Sequence, residues 1–286
     1  MPGIVSRYLS LVRFSHTVFA LPFAGIGFAL AIDESQTVLS WLLLSKVLLC
    51  MVFARTAAMS FNRWADRLID ARNPRTALRE IPSGLISADA ALLFTLANCM
   101  GFVFTTLSIN PLCFRLSFVA LAIILGYSYT KRFTPLCHLI LGAGLALAPT
   151  GAWLAVTGSF HWLPIQISIA VLCWVSGFDI IYSLQDEEFD RANRLYSIPV
   201  ILGGVKALMI ARTLHLTAAV FLFTAGLSIP ANWLYFLGWL IFSVLLIYQH
   251  RLISPGDLSR INLAFGTTNG IASVVFSLFV IADRLA

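Results

Sequence analysis

The sequence predicts an all-α, multi-pass membrane protein, and three observations carry that prediction. Of 286 residues, 59% are hydrophobic and only 11% are charged, against about 25% charged in a typical soluble domain. The apolar residues gather into runs of roughly 17–25, the length that crosses a bilayer as a helix. Lys and Arg collect between alternate runs, the pattern that orients membrane helices.

Taken in order, spans are expected at 14–32, 38–60, 88–108, 111–130, 135–157, 162–182, 208–228, 231–249 and 262–282, about nine transmembrane helices in all. Arg7 and Arg13 precede the first, as they would a signal peptide. Its apolar run from Val18 to Ile32 is long for an h-region, and no A-x-A-like site leads into a soluble domain, so a retained helix is expected. The second and sixth spans are expected to continue as helix into acidic motifs. The connections AIDESQT, SINP, TGSFHW and SIPAN contain no Lys or Arg. The alternate ones carry Arg63, Arg67, Arg72, Arg75 and Arg79, then Lys131 and Arg132, then Arg191, Arg194 and Lys206, then Arg251 and Arg260. The amino terminus and both acidic motifs are therefore expected on the cytoplasmic side of the cell's inner (plasma) membrane, with the carboxyl terminus outside.

The net charge of +6 follows from this positive-inside bias, and nothing resembles a nucleic-acid module. The five cysteines form no C-x-x-C pair, and His138, His161, His215 and His250 share no ligand spacing. With no Ser/Gly or Pro linker, one integral-membrane domain over 1–286 is expected. The acidic motifs lie four spans apart, each after an even-numbered helix, which suggests a duplication of four-helix units. The connections 66–87 and 183–207 are long and charged, with the punctuation EIPSG and LYSIPVILGG. Ordered caps over a common site are expected there.

Asn62, Asp66 and Asp70 recur every fourth residue, and so do Tyr182, Asp186 and Asp190. A step of four advances about 6 Å and turns about 40° on an α-helix, so each set is expected along one helix face. Asp179 lies one turn before Tyr182. A single Asp at a helix end would only mark the interface, but carboxylates gathered in phase point to a site. Oxygen ligands of this type suit Mg²⁺, which takes one or two carboxylates plus the oxygens of a substrate phosphate.

Arg75, Arg79 and Lys131 add the cations that phosphate oxygens require. Acids, cations and surrounding hydrocarbon together specify a substrate with a diphosphate head and a lipid tail. Such a site would ionise an allylic diphosphate, with cation and metal stabilising the departing charge and aromatic rings such as Tyr127, Tyr129, Phe178 and above all Tyr182 stabilising the carbocation. Arg13 and His16, at the cytoplasmic start of the first span, are candidates for an acceptor's carboxylate.

These residues resemble the UbiA superfamily of intramembrane prenyltransferases across essentially the whole chain. The resemblance rests on Asn62, Asp66 and Asp70 followed by Arg75, Thr76 and Arg79, on Asp179, Tyr182, Asp186 and Asp190, and on Lys131 in YSYTKRFTPL. It implies a UbiA-like helical bundle in which Asp66, Asp70, Asp186 and Asp190 hold Mg²⁺–diphosphate, with Asn62, Tyr182 and Asp179 among the catalytic residues. Arg63 departs from the pattern, standing where the family usually has an Asp. MSFNRWADRLIDARNPRTALREIPSG and GFDIIYSLQDEEFDR resemble the 4-hydroxybenzoate polyprenyltransferase branch, and within it the enzymes that prenylate dihydroxynaphthoate in the futalosine route to menaquinone. The partners implied are a polyprenyl diphosphate, an aromatic acid acceptor of benzoate or naphthoate type, and the lipid bilayer. A polytopic secondary transporter is the alternative from another class, but transporter ion sites lie near the bilayer midplane. Within the superfamily, acceptors such as haem also stay open.

Overall fold

The computed structural model describes residues 3–12 and 19–286. The described residues are helical throughout, apart from turns and one isolated bridge between Ser254 and Asp257. Among them, eight helices are long and apolar enough to cross a membrane, and the chain is a multi-pass integral membrane protein. The remaining expected span, 14–32, begins outside the described residues. Its described part is α2 (Leu21–Ser35).

The contacts divide the described chain into two compact units, one built on 3–12 and 42–129, the other on 19–41 and 130–286. Helix α2 packs on α7 and α12 of the second unit rather than with the helices that follow it in sequence.

The first unit holds α1 (Ile4–Leu11), α3 (Trp41–Ala65), the short α4 (Arg67–Asp70), α5 (Ala88–Leu107) and α6 (Pro111–Thr130). Helix α3 meets α5 through Ser60 Oγ, which donates to the Ala91 carbonyl at 3.0 Å. At the other end Lys46 Nζ reaches the Ser108 carbonyl at 2.6 Å, satisfying an acceptor that the end of α5 leaves open. Ser87 caps α5 by accepting from the Ala90 N–H at 3.2 Å. Helix α1 was not expected from the sequence. Its Leu11 packs with Ile86 and Ala91, flanked by Tyr8, Ile81 and Phe94, while Ser10 hydrogen-bonds Glu80.

The second unit holds α2, α7 (Cys137–Thr157), α8 (Trp162–Ser183), α9 (Glu187–Ala192), α10 (Ile198–Leu227), α11 (Trp233–Arg251) and α12 (Asn269–Leu285). Lipid gives apolar helices little reason to associate, so close approach through small residues supplies the contact. At Gly27 of α2, an added Cβ would fall inside van der Waals contact of the Pro149 backbone of α7. Helix α8 is the buried axis: Trp174, Val175, Ile180 and Ile181 are fully enclosed. Trp174 donates Nε1–H to Asn269 Oδ1 at 3.0 Å, tying α8 to α12. At one end Asp283 accepts from the backbone N–H groups of Asn232 and Tyr235 at 3.1 and 3.2 Å, which caps α11 with a negative charge at its positive end.

Helix α10 begins ten residues before the expected start at 208. Ser197 Oγ caps it, Pro199 occupies its first turn, and Gly203, at φ 76° and ψ 159°, bends it where an L side chain would be strained. Much of the long connection 183–207 is therefore helix.

Gly27→Leu should separate α2 from α7 and lower stability by on the order of 1–3 kcal/mol. Gly151→Leu, at an exposed helical position with open space beside it, should be nearly neutral. Thermal unfolding of both variants in detergent checks the difference, and equal melting temperatures would contradict the close crossing.

Candidate active site

The first acidic row keeps its helical step. The Asp66 N–H donates to the Asn62 carbonyl at 2.9 Å and the Asp70 N–H to the Asp66 carbonyl at 2.8 Å, so Asn62, Asp66 and Asp70 share a face across the junction of α3 and α4. Asp66 itself has φ −91° and ψ 3°, the sparsely populated bridge region in which many active-site residues sit. Asn62 Nδ2 donates to Asp66 Oδ2 at 3.2 Å. Asp66 and Asp70 are both buried.

The segment after α4 folds back on the row by tight local bonds. Asn73 Oδ1 accepts from the Arg75 N–H at 2.9 Å, and the Asn73 carbonyl accepts from Thr76 N–H at 2.9 Å. Thr76 Oγ1 donates to the Asp70 carbonyl at 3.0 Å. This brings Arg79 Nη1 within 2.8 and 2.9 Å of the two Asp70 oxygens. A guanidinium thus answers the charge of a carboxylate that has lost most of its water. The Arg75 side chain is exposed.

The second row corrects the expectation of a single helical face. Helix α8 ends at Ser183, a 3₁₀ turn covers Leu184–Asp186, and α9 starts at Glu187. A 3₁₀ turn bonds i to i+3, so Tyr182, Asp186 and Asp190 do not follow one uninterrupted α-helical step. Gln185 Nε2, at 2.9 Å from the Tyr182 carbonyl, fills the acceptor exposed by the break. Asp186 has φ −104° and ψ 1°, nearly the conformation of Asp66. The central aspartate of each motif therefore marks a break after a long helix and opens a short one.

Tyr182 stacks on Phe265, with ring centroids 4.1 Å apart and planes 30° apart. Phe265 belongs to a π-helical turn, Leu263–Thr268. The amide of Asn269 donates to the carbonyls of Ala264 and Phe265 at 3.1 and 2.9 Å, and such turns often occur at functional positions. Phe178 is buried among Phe19, Trp174 and Phe265, so it serves the core. Tyr129 lies edge-on to Phe61 in the first unit.

Asp179 meets a histidine that belongs to neither motif. Its Oδ2 lies 2.7 Å from His138 Nδ1, and the Ile198 N–H donates to His138 Nε2 at 3.4 Å. Forty-one residues separate His138 from Asp179, so no helical spacing exposes the pair. Lys131 lies in the same unit, and its carbonyl accepts from the Tyr196 N–H at 2.7 Å. Arg13 and His16 lie outside the described residues.

The donors of both rows are oxygens, as hard divalent cations prefer. Among the described residues no three His, Cys, Asp or Glu side chains gather into a metal cage. An ion held by either row would complete its shell with water or a bound phosphate, which is the habit of Mg²⁺.

Membrane-spanning helices that run into aspartates, buried in the first motif and half-buried in the second, one of them engaged by an arginine turn, define the class: an integral-membrane enzyme with acidic motifs at its helix ends. The chain belongs to the UbiA prenyltransferase family, whose model matches residues 20–277. It is 31% identical over 227 residues to a 4-hydroxybenzoate octaprenyltransferase of Photobacterium profundum, covering 79% of this chain and 78% of the relative. A solved apo structure of a UbiA homolog from Aeropyrum pernix K1 superposes with a TM-score of 0.84 at 30% identity, over 94% of this chain and 98% of the other. A UbiA homolog from Archaeoglobus fulgidus, solved bound to GPP and Mg²⁺, shares the fold with a TM-score of 0.72 at 23% identity, over 98% of this chain and the whole of the other.

Arg79→Met and Asp70→Asn should each lower the melting temperature. The double variant should lose less than their sum, with a coupling of about 1–3 kcal/mol for a hydrogen-bonded charge pair. Strict additivity in the thermal double-mutant cycle would mean that the pair contributes nothing.

Proposed function

We propose that this protein transfers a polyprenyl group from a polyprenyl diphosphate to an aromatic acid of the 4-hydroxybenzoate or dihydroxynaphthoate type, with Mg²⁺, in quinone biosynthesis. The observation that carries the reading is the Asn62–Asp66–Asp70 row, both aspartates buried, with Arg79 folded onto Asp70. An anion-binding cation and oxygen ligands for a hard metal are the two things a diphosphate requires. The name of the Photobacterium relative supports a hydroxybenzoate-like acceptor, and the two motif phrases favour the naphthoate branch.

In this reading Asp66, Asp70, Asp186 and Asp190 hold Mg²⁺, which when bound neutralises diphosphate charge as it develops. Arg75, Arg79 and Lys131 bind the phosphate oxygens, Arg79 exchanging part of its hold on Asp70 for the substrate. Asn62 steadies Asp66. The allylic carbon–oxygen bond breaks, the carbon bonds to a ring carbon of the acceptor, and diphosphate and the ring proton leave. Tyr182, its ring orientation fixed by Phe265, stabilises the allylic cation, and Asp179 adds a negative charge one turn away. Arg13 and His16 are the proposed partners of the acceptor carboxylate. One domain over 1–286 carries the whole reaction, with its amino terminus and polar loops on the cytoplasmic face of the plasma membrane.

Purified protein in lipid, given Mg²⁺ and a radiolabelled polyprenyl diphosphate, should prenylate 4-hydroxybenzoate or 1,4-dihydroxy-6-naphthoate, and EDTA should stop it. Asp66→Asn and Asp186→Asn should each reduce turnover by about a hundredfold or more while inserting normally. Wild-type rates in both variants would remove the metal role. In a variant stripped of its five cysteines, a cysteine at the exposed position of Leu78 should react with an impermeant reagent only from the cytoplasmic side. Reaction from the outside would invert the topology.

A further inference from the structure

We propose that His138 is a positioning residue for Asp179, holding that carboxylate in one orientation for the prenyl-transfer step. The inference rests on the transferase reading and names a residue of its machinery that neither the acidic rows nor their spacing contain.

A backbone N–H can only donate. The Ile198 N–H at 3.4 Å from His138 Nε2 therefore makes that nitrogen the acceptor and leaves the proton of a neutral imidazole on Nδ1. Nδ1–H then points at Asp179 Oδ2, 2.7 Å away, the short distance of a charge-assisted bond. The imidazole is almost wholly buried, with its side chain 3% exposed, whereas Asp179 is 23% exposed. The histidine is thus enclosed in protein while the carboxylate retains an open side. Among the described residues Asp179 Oδ1 takes no hydrogen bond, so one oxygen is held and the other is left for chemistry.

The anchor is itself braced. Ser176 Oγ donates to the His138 carbonyl at 3.1 Å, fixing the first turn of α7 against α8. Tyr196, two residues before Ile198, donates its N–H to the Lys131 carbonyl at 2.7 Å, and the Cys137 thiol lies 3.6 Å from the Tyr196 carbonyl. His138 therefore sits where the starts of α7 and α10 meet the end of α8. A histidine fixed by a hydrogen bond on one nitrogen orients whatever the other nitrogen holds.

Three replacements separate the two bonds. Asparagine puts its amide nitrogen near the position of Nδ1 and can still donate to Asp179. Glutamine puts its amide near Nε2, where it can still accept from Ile198 but cannot serve Asp179. Alanine removes both. With wild-type turnover as the reference, H138A and H138Q should lower kcat about tenfold or more, the scale of a hydrogen bond to a charged group. KM for the prenyl diphosphate should be unchanged, and H138N should recover most of the loss. Recovery by H138Q equal to that by H138N would overturn the proposal, because the Ile198 bond would then be the one that matters. So would full activity in H138A, or losses in all three that simply follow melting temperature. Should H138A fail to fold, the asparagine–glutamine pair alone decides. A wild-type protein that transfers no prenyl group to any acceptor overturns the functional reading and this inference with it, whereas an active wild type with indifferent variants overturns only the inference.

Discussion

A carboxylate at the end of a membrane helix must exchange its water for something the protein supplies, and the local structure of both motifs follows from that exchange. Asp70 takes Arg79, Asp66 takes the amide of Asn62, and Asp179 takes the imidazole of His138. None of these compensations is free of backbone consequences. The Arg79 contact requires the Asn73–Thr76 turn, and the His138 contact requires that α7 begin beside the end of α8. Burying charge without such partners would cost several kcal/mol per group, so the turns and helix starts are as much part of the site as the aspartates.

The breaks in the long helices answer the same need to satisfy polar groups. Asp66 and Asp186 share a bridge-region backbone and each opens a short helix. At Asp66 the long apolar helix has just stopped, whereas α8 stops at Ser183 and a 3₁₀ turn leads to Asp186. In the second unit the π-turn at Leu263–Thr268 plays a related part. It displaces carbonyls that the Asn269 amide then satisfies, and in doing so it turns Phe265 onto Tyr182. Departures from regular α-helix thus fall at Asp66, at Leu184–Asp186, at Gly203 and at Leu263–Thr268, the last of these within a span and facing Tyr182 through Phe265.

Much of this was legible in the chain. The spans after the first were readable from apolar runs because a bilayer imposes their length, and most boundaries fall within a few residues. The exception is α10, which starts ten residues early because Ser197 caps a polar, kinked first turn that hydropathy does not register. The contacts of Asn62 with Asp66 and of Asp70 with Arg79 were readable because all four residues lie within eighteen positions, where spacing alone constrains contact. The amphipathic α1 escaped notice, since an eight-residue helix lacks the length of a span; its Tyr8 and Leu11, one turn apart, were the available trace.

The amino-acid sequence by itself determined that this is a helical membrane protein with two acidic motifs and a family resemblance specific enough to name a prenyl transferase. Those features are set by composition, periodicity and short-range spacing, which need no knowledge of what lies beside what. Only the tertiary structure decided that Asp179 is held by His138, that Tyr182 stacks on Phe265, and that the second motif passes through a 3₁₀ turn. Each of the first two joins residues more than forty positions apart on different elements, and the third is a local choice imposed by how α8, α9 and α10 connect. Such partners are selected by packing geometry, which one-dimensional periodicity does not contain.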